Sequence, residues 1–112
     1  MLALTWLQEI EFTNGLYLKV FRKEPVDNVS TTLERLQLDV ESGVFQRIQL
    51  SWSSVVAKTM RLSAAHTSAI GTRVLDLLHV AAALELKSTE FITGDERQAK
   101  AAREEGLKVA FI

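Results

Sequence analysis

The chain has 112 residues, a length that suits one compact domain and excludes two. Thirteen Lys and Arg stand against 14 Asp and Glu, a formal charge of −1, which excludes a protein that coats nucleic acid through many cationic phosphate contacts. Cysteine is absent, so disulfides, thiol catalysis and thiolate metal sites are excluded, and no apolar run approaches the roughly 20 residues of a membrane span.

In chain order, residues 5–23 read as a helix. Leu7, Ile10, Leu18 and Phe21 fall on one stripe and Phe12, Leu16 and Val20 on a second, so burial on two sides is expected. Pro25 ends it. Asp27 or Ser30 is a candidate cap for a second helix through Leu33, Leu36 and Val40, with Gly43 as its stop. Residues 44–50 alternate apolar and polar side chains, as a half-buried strand does. Ser51 is placed to cap a helix over 52–69, and Thr72 one over 73–87 that carries the dense apolar run LDLLHVAAALEL. Residues 90–93 and 108–112 read as short strands, separated by a helix that opens at Asp95 and ends near Gly106. Strands separated by helices favour a parallel sheet with helices on its faces, so the expected class is α/β with one domain over 1–112. The N-terminus has no basic segment ahead of its apolar residues, which argues against a signal peptide; a cytoplasmic protein is the expectation.

Little catalytic chemistry is left to such a composition. His66 and His79 are isolated, there is no glycine-rich phosphate loop, and no serine sits in a nucleophile-elbow pattern. Carboxylates remain, and oxygen ligands suit Mg²⁺ or Mn²⁺. Three stand among apolar neighbours or at a strand end. Glu11 interrupts an apolar stripe, with Asn14 one turn on. Asp76 is embedded in VLDLLHVAAAL. Asp95 follows a strand directly, at the carboxyl end where open parallel sheets hold ligands. Each also has a plain structural reading. Asp95 with Gln98 matches a D-x-x-Q helix cap, Asp76 near a helix start meets the dipole, and Glu11 can pair with a basic side chain. A cap and a ligand are compatible, because one carboxylate has about four acceptor sites.

The stretch RVLDLLHVAAALELKSTEFITGDERQAKAAREEGLKV resembles the C-terminal half of PIN domains, especially those of the VapC type. The matching features are Asp76, Leu78-His79, Ala81 to Ala83, Thr93-Gly94-Asp95 and Gly106-Leu107. EIEFTNGLYLKVFRKE is similar to the family's Glu-x-x-Asn-(small)-Leu segment, in the register that selects Glu11 over Glu9. The resemblance implies a three-layer α/β/α sandwich with a short parallel sheet. It also implies Mg²⁺- or Mn²⁺-dependent hydrolysis of RNA phosphodiesters by a ribonuclease toxin of a toxin–antitoxin system. Glu11, Asp76 and Asp95 would be its acidic catalytic and metal-binding members, with Thr93, Asn14 and Arg73 beside them. A cognate antitoxin and a homo-oligomer, dimer or higher, are the implied partners. The family begins with an aspartate-bearing strand and a helix ahead of the Glu11 segment. No acidic residue precedes Glu9 here, so a chain truncated at its N-terminus, with weakened metal binding and catalysis, is expected.

The remaining residues have plainer readings. His79 reads as a packed helix residue and His66 as a surface one. Trp6 and Trp52 serve packing or an interface. Lys19, Arg22 and Lys23 favour a helix C-terminal dipole. Arg73, one turn before Asp76, is expected to pair with it rather than with RNA phosphate. Two competing readings stand beside the nuclease: a catalytically inactive PIN remnant that acts as an oligomeric or antitoxin-binding module, and an unrelated fold in which the motif is coincidental.

Overall fold

The computed structural model describes residues 2–112 and is a mixed α/β structure. The chain forms two compact units, Met1–Gln49 and Leu50–Ile112.

In the first unit, β1 (Leu2–Thr5) leads into α1 (Trp6–Phe21), α2 (Val29–Glu41) and β2 (Phe45–Ile48). The strands pair in parallel, Leu2 opposite Phe45 and Thr5 opposite Ile48, and the two helices form the crossover that parallel pairing requires. β1 is a strand that the sequence reading did not find. Four residues are too few to show periodicity, and the sequence alone places Thr5 inside the helix. Thr5 is instead the N-cap. Its hydroxyl accepts from the Gln8 N–H at 3.2 Å, and its own N–H donates to Gln8 Oε1 at 2.9 Å, which is a complete capping box. At the other end α1 stops before Pro25. Lys23 takes a left-handed φ of 57°, and the N–H groups of Lys23 and Glu24 close back on Val20 and Lys19. α2 is capped by Asn28, neither Asp27 nor Ser30, because Asn28 Oδ1 reaches the Thr31 N–H at 3.0 Å. Arg47 on β2 grips Glu9 of α1 through Nε and a terminal nitrogen, the shortest contact 2.9 Å, and also donates to Gln37 of α2 at 2.8 Å. Of this unit's apolar side chains, Leu4 and Leu7 are buried; the expected two-sided burial of α1 does not occur, since Leu7 is its one buried residue.

The second unit holds the main core: Val55, Leu62, Leu77, Val80, Ala81, Ala83, Phe91, Ala101, Ala102 and Leu107. The helix expected over 52–69 is α3 (Trp52–Leu62), a π-helical turn (Ser63–Thr67) and α4 (Ser68–Ile70). Ser51 caps it as expected, at 3.4 Å to the Ser54 N–H. Then follow α5 (Val74–Glu85), β3 (Glu90–Thr93), α6 (Glu96–Glu104) and β4 (Lys108–Phe111). β3 and β4 pair in parallel across α6, Glu90 opposite Lys108 and Thr93 opposite Phe111. Among the described residues, four strands in two parallel pairs replace the three expected in one sheet. α5 packs on both α3 and α6, and the alanines at 81–83, 99, 101 and 102 allow the close approach.

The π-helical turn has a partner that the sequence did not suggest. Expected at the surface, His66 is almost covered. Its Nε2 lies 2.6 Å from Glu105 at the end of α6, and Arg61 approaches the other Glu105 oxygen at 3.0 Å. A carboxylate only accepts, so His66 carries a proton on Nε2. Burial alone would raise the Glu105 pKa, but the hydrogen bonds from His66 and Arg61 outweigh it and hold the carboxyl below the ordinary glutamate value.

A carboxyl held low in the folded state stabilises the fold above its unfolded pKa and loses that contribution as pH falls through the lower folded value. Glu105→Gln should therefore reduce stability at neutral pH and flatten its decline below about 4.5, the unperturbed glutamate value. Urea unfolding at a series of pH values reads this, and parallel pH curves for parent and variant would contradict it. Lys87 follows α5 with a φ of 55°, a conformation that costs a non-glycine residue about 1 kcal/mol. Lys87→Gly should raise stability in the same assay by roughly 0.5 kcal/mol, once glycine's own entropy cost is counted.

Candidate acidic site

Asp76 lies in the first turn of α5 and is only 6% exposed. A carboxylate so placed must find donors or become neutral. One oxygen, Oδ2, accepts the backbone N–H of Arg73 at 2.9 Å, the residue at the head of the helix. The other, Oδ1, accepts Gln98 Nε2 at 3.2 Å. The expected side-chain pair of Arg73 with Asp76 does not form among the described residues; Arg73 meets that carboxylate through its main-chain N–H. Thr72, expected as the cap, is buried and shares a hydrogen bond with the Thr67 hydroxyl at 2.9 Å.

Gln98 joins this carboxylate to the next. Its backbone N–H donates to Asp95 Oδ1 at 3.2 Å, and the Arg97 N–H donates to the same oxygen at 2.8 Å. Asp95 is thus the N-cap of α6, as its D-x-x-Q spacing suggests. The second half of that motif departs from the expected capping box, because the Gln98 amide does not return to the Asp95 backbone. Its Oε1 accepts the Thr93 hydroxyl at 2.9 Å and its Nε2 reaches Asp76. The Thr93 oxygen in turn accepts the Asp95 N–H at 3.0 Å. The Gln98 orientation is fixed by this bonding, since its nitrogen must face the carboxylate and its oxygen the hydroxyl.

Asp76, Thr93 and Asp95 are therefore brought into one hydrogen-bonded group at the carboxyl end of β3. Gln98 is the connector, a role that its D-x-x-Q position does not reveal, because that spacing points only to a cap. Asp95 is exposed and Asp76 covered, so the pair offers one carboxylate to solvent and one held from behind. Gly94 lies between Thr93 and Asp95. A Cβ there would lie 3.4 Å from the Ile112 carbonyl oxygen, an ordinary van der Waals distance. His79, half-buried, is one turn after Asp76. Glu11 and Asn14 are exposed positions on α1, in the first unit.

The donor set is oxygen-rich, and Mg²⁺ is commonly held by one or two carboxylates with water completing its shell. In this structure both oxygens of Asp76 accept protein donors, and Asp95 is the exposed member of the pair. Among the described residues there is no group of three His, Cys, Asp or Glu placed to hold a metal ion. No protein-family model matches this sequence, and no curated protein shows significant similarity to it.

The two carboxylates should differ in what they do for stability. Asp76→Ala leaves the Arg73 N–H and the Gln98 amide without partners and should cost about 1–3 kcal/mol. Asp95→Asn keeps a good N-cap and should cost only a few tenths of a kcal/mol. Chemical denaturation followed by circular dichroism measures both; equal losses would contradict the burial argument.

Proposed function

We propose that this chain is a PIN-type, metal-dependent endoribonuclease, a VapC-like toxin of a toxin–antitoxin system. The observation that carries the reading is the sharing of Gln98 between Asp76 and Asp95 at the carboxyl end of a parallel strand. This is the place where parallel α/β structures collect ligand-binding side chains. Asp76 and Asp95 would hold Mg²⁺ or Mn²⁺, with Glu11 as the third acidic member that the family resemblance assigns. When bound, such an ion supplies an activated water and stabilises charge on a phosphodiester under in-line attack. The chain's own residues hold and orient. Arg73 and Gln98 keep Asp76 from turning away, and Thr93 fixes the start of the turn that carries Asp95. RNA is the proposed substrate, an antitoxin the proposed partner, and the cytoplasm the proposed compartment.

Calorimetric titration with millimolar Mn²⁺ tests the reading. The parent protein should bind, and Asp95→Asn, which preserves the helix cap, should abolish binding together with Mn²⁺-dependent cleavage of single-stranded RNA. A parent protein that gives no binding heat sinks the proposal.

The absence of a three-member acidic group among the described residues favours a second reading, a non-catalytic PIN remnant that serves as an oligomeric or antitoxin-binding module. Robust RNA cleavage lost on Asp95→Asn would exclude it.

A further inference from the structure

Both donors that hold Asp76 lead back to one short segment of the second unit, the π-helical turn Ser63–Thr67. Such a turn is rare and occurs most often where a function needs it. Here it interrupts the helical run between α3 and α4, and its last two residues each hold a different element. In an uninterrupted α-helix adjacent side chains point about 100° apart. A π turn spreads more residues over each turn, so neighbours diverge less and one segment can reach two partners.

Thr67 holds the connector into α5. Its carbonyl oxygen accepts the Gly71 N–H at 2.8 Å, and Gly71 takes a left-handed φ of 78°. Its hydroxyl donates to Ser63 at 3.4 Å and so is left to accept from the Thr72 hydroxyl, 2.9 Å away. Thr72 is buried, so its hydroxyl depends on Thr67 rather than on solvent. The next residue is Arg73, whose N–H meets Asp76 Oδ2. His66 holds the other side. Its bond to Glu105 fixes the residue that ends α6, and Gln98 on that helix supplies the donor to Asp76 Oδ1. A short helix moves as a rigid element, so a fixed tail constrains its head. We propose that the π-helical turn braces the acidic site, and that Thr67 is a positioning residue for Asp76, acting through Thr72 and the Arg73 N–H. The purpose of the brace rests on the metal-site reading, because a carboxylate already aimed by two fixed donors loses less freedom when it takes up a cation. The geometry of the brace does not rest on that reading.

Amide hydrogen exchange of the full chain, read by NMR without metal, tests the geometry. Thr67→Val keeps the side-chain shape and removes the hydroxyl. It should speed exchange at Arg73 about three- to tenfold relative to Ala82 and Ala83 further along α5, the change that loss of one hydrogen bond predicts. Thr67→Ser restores the hydroxyl and should exchange as the parent does. Circular dichroism confirms that each variant is folded. A merely structural role would speed all three amides alike; that result, or no change at Arg73, overturns the proposal. Calorimetric titration with Mn²⁺ tests the purpose. Thr67→Val should weaken binding by a similar factor, and Thr67→Ser should not. Unchanged Mn²⁺ affinity in a variant with faster Arg73 exchange would overturn the assignment of Thr67 to the site. A parent that binds no Mn²⁺ sinks the nuclease reading, and the exchange rates alone then decide the brace.

Discussion

A carboxylate buried in the first turn of an alanine-rich helix constrains everything around it. Asp76 has to be satisfied at both oxygens, and the two donors come from different parts of the second unit: the head of its own helix and the side chain of Gln98 on α6. Because Gln98 has one donor end and one acceptor end, its bond to Asp76 commits its oxygen to Thr93. Thr93 then holds the Asp95 N–H, and the turn out of β3 is set. One buried charge thus fixes the relation of α5, β3 and α6. The same bonds that make the charge tolerable place a second, exposed carboxylate within its network.

This dual use explains why the plain reading and the functional reading of these residues do not compete. Asp95 is a helix cap by geometry and retains an oxygen that no described donor occupies. Asp76 meets a helix head and also a glutamine that no cap requires. The core that supports them is built from small side chains. Alanines on α5 and α6 let the helices approach closely enough for a glutamine to span the gap. The cost of small side chains is limited apolar burial, and polar contacts such as Arg61–Glu105–His66 and Lys58–Glu85 tie the outer turns of the unit.

The first unit follows a different logic. Its two strands pair with each other, and among the described residues its buried apolar side chains are few. Charged and polar groups do much of the joining, with Arg47 holding α1 through Glu9 and α2 through Gln37. α1 buries a single residue, Leu7, beside the buried Leu4 of β1.

Much of the local structure was legible in the sequence. The caps at Ser51 and Asp95, the stop at Gly43, the strand at Glu90–Thr93 and the parallel class all follow from short-range chemistry that acts within a few residues. Asp76 and Asp95 were legible as exceptional, because a carboxylate in an apolar run or directly after a strand is visible in one dimension. What the sequence could not decide was partnership across distance. Gln98 could return to its own cap or reach Asp76; His66 could face water or Glu105; Glu9 could lie free or hold Arg47. Each choice turns on where another element comes to rest, 22 residues away for Gln98, 39 for His66 and 38 for Glu9. Periodicity and capping rules are blind to such separations, since they describe what a residue offers. Only the packed helices and strands decided what each offer met.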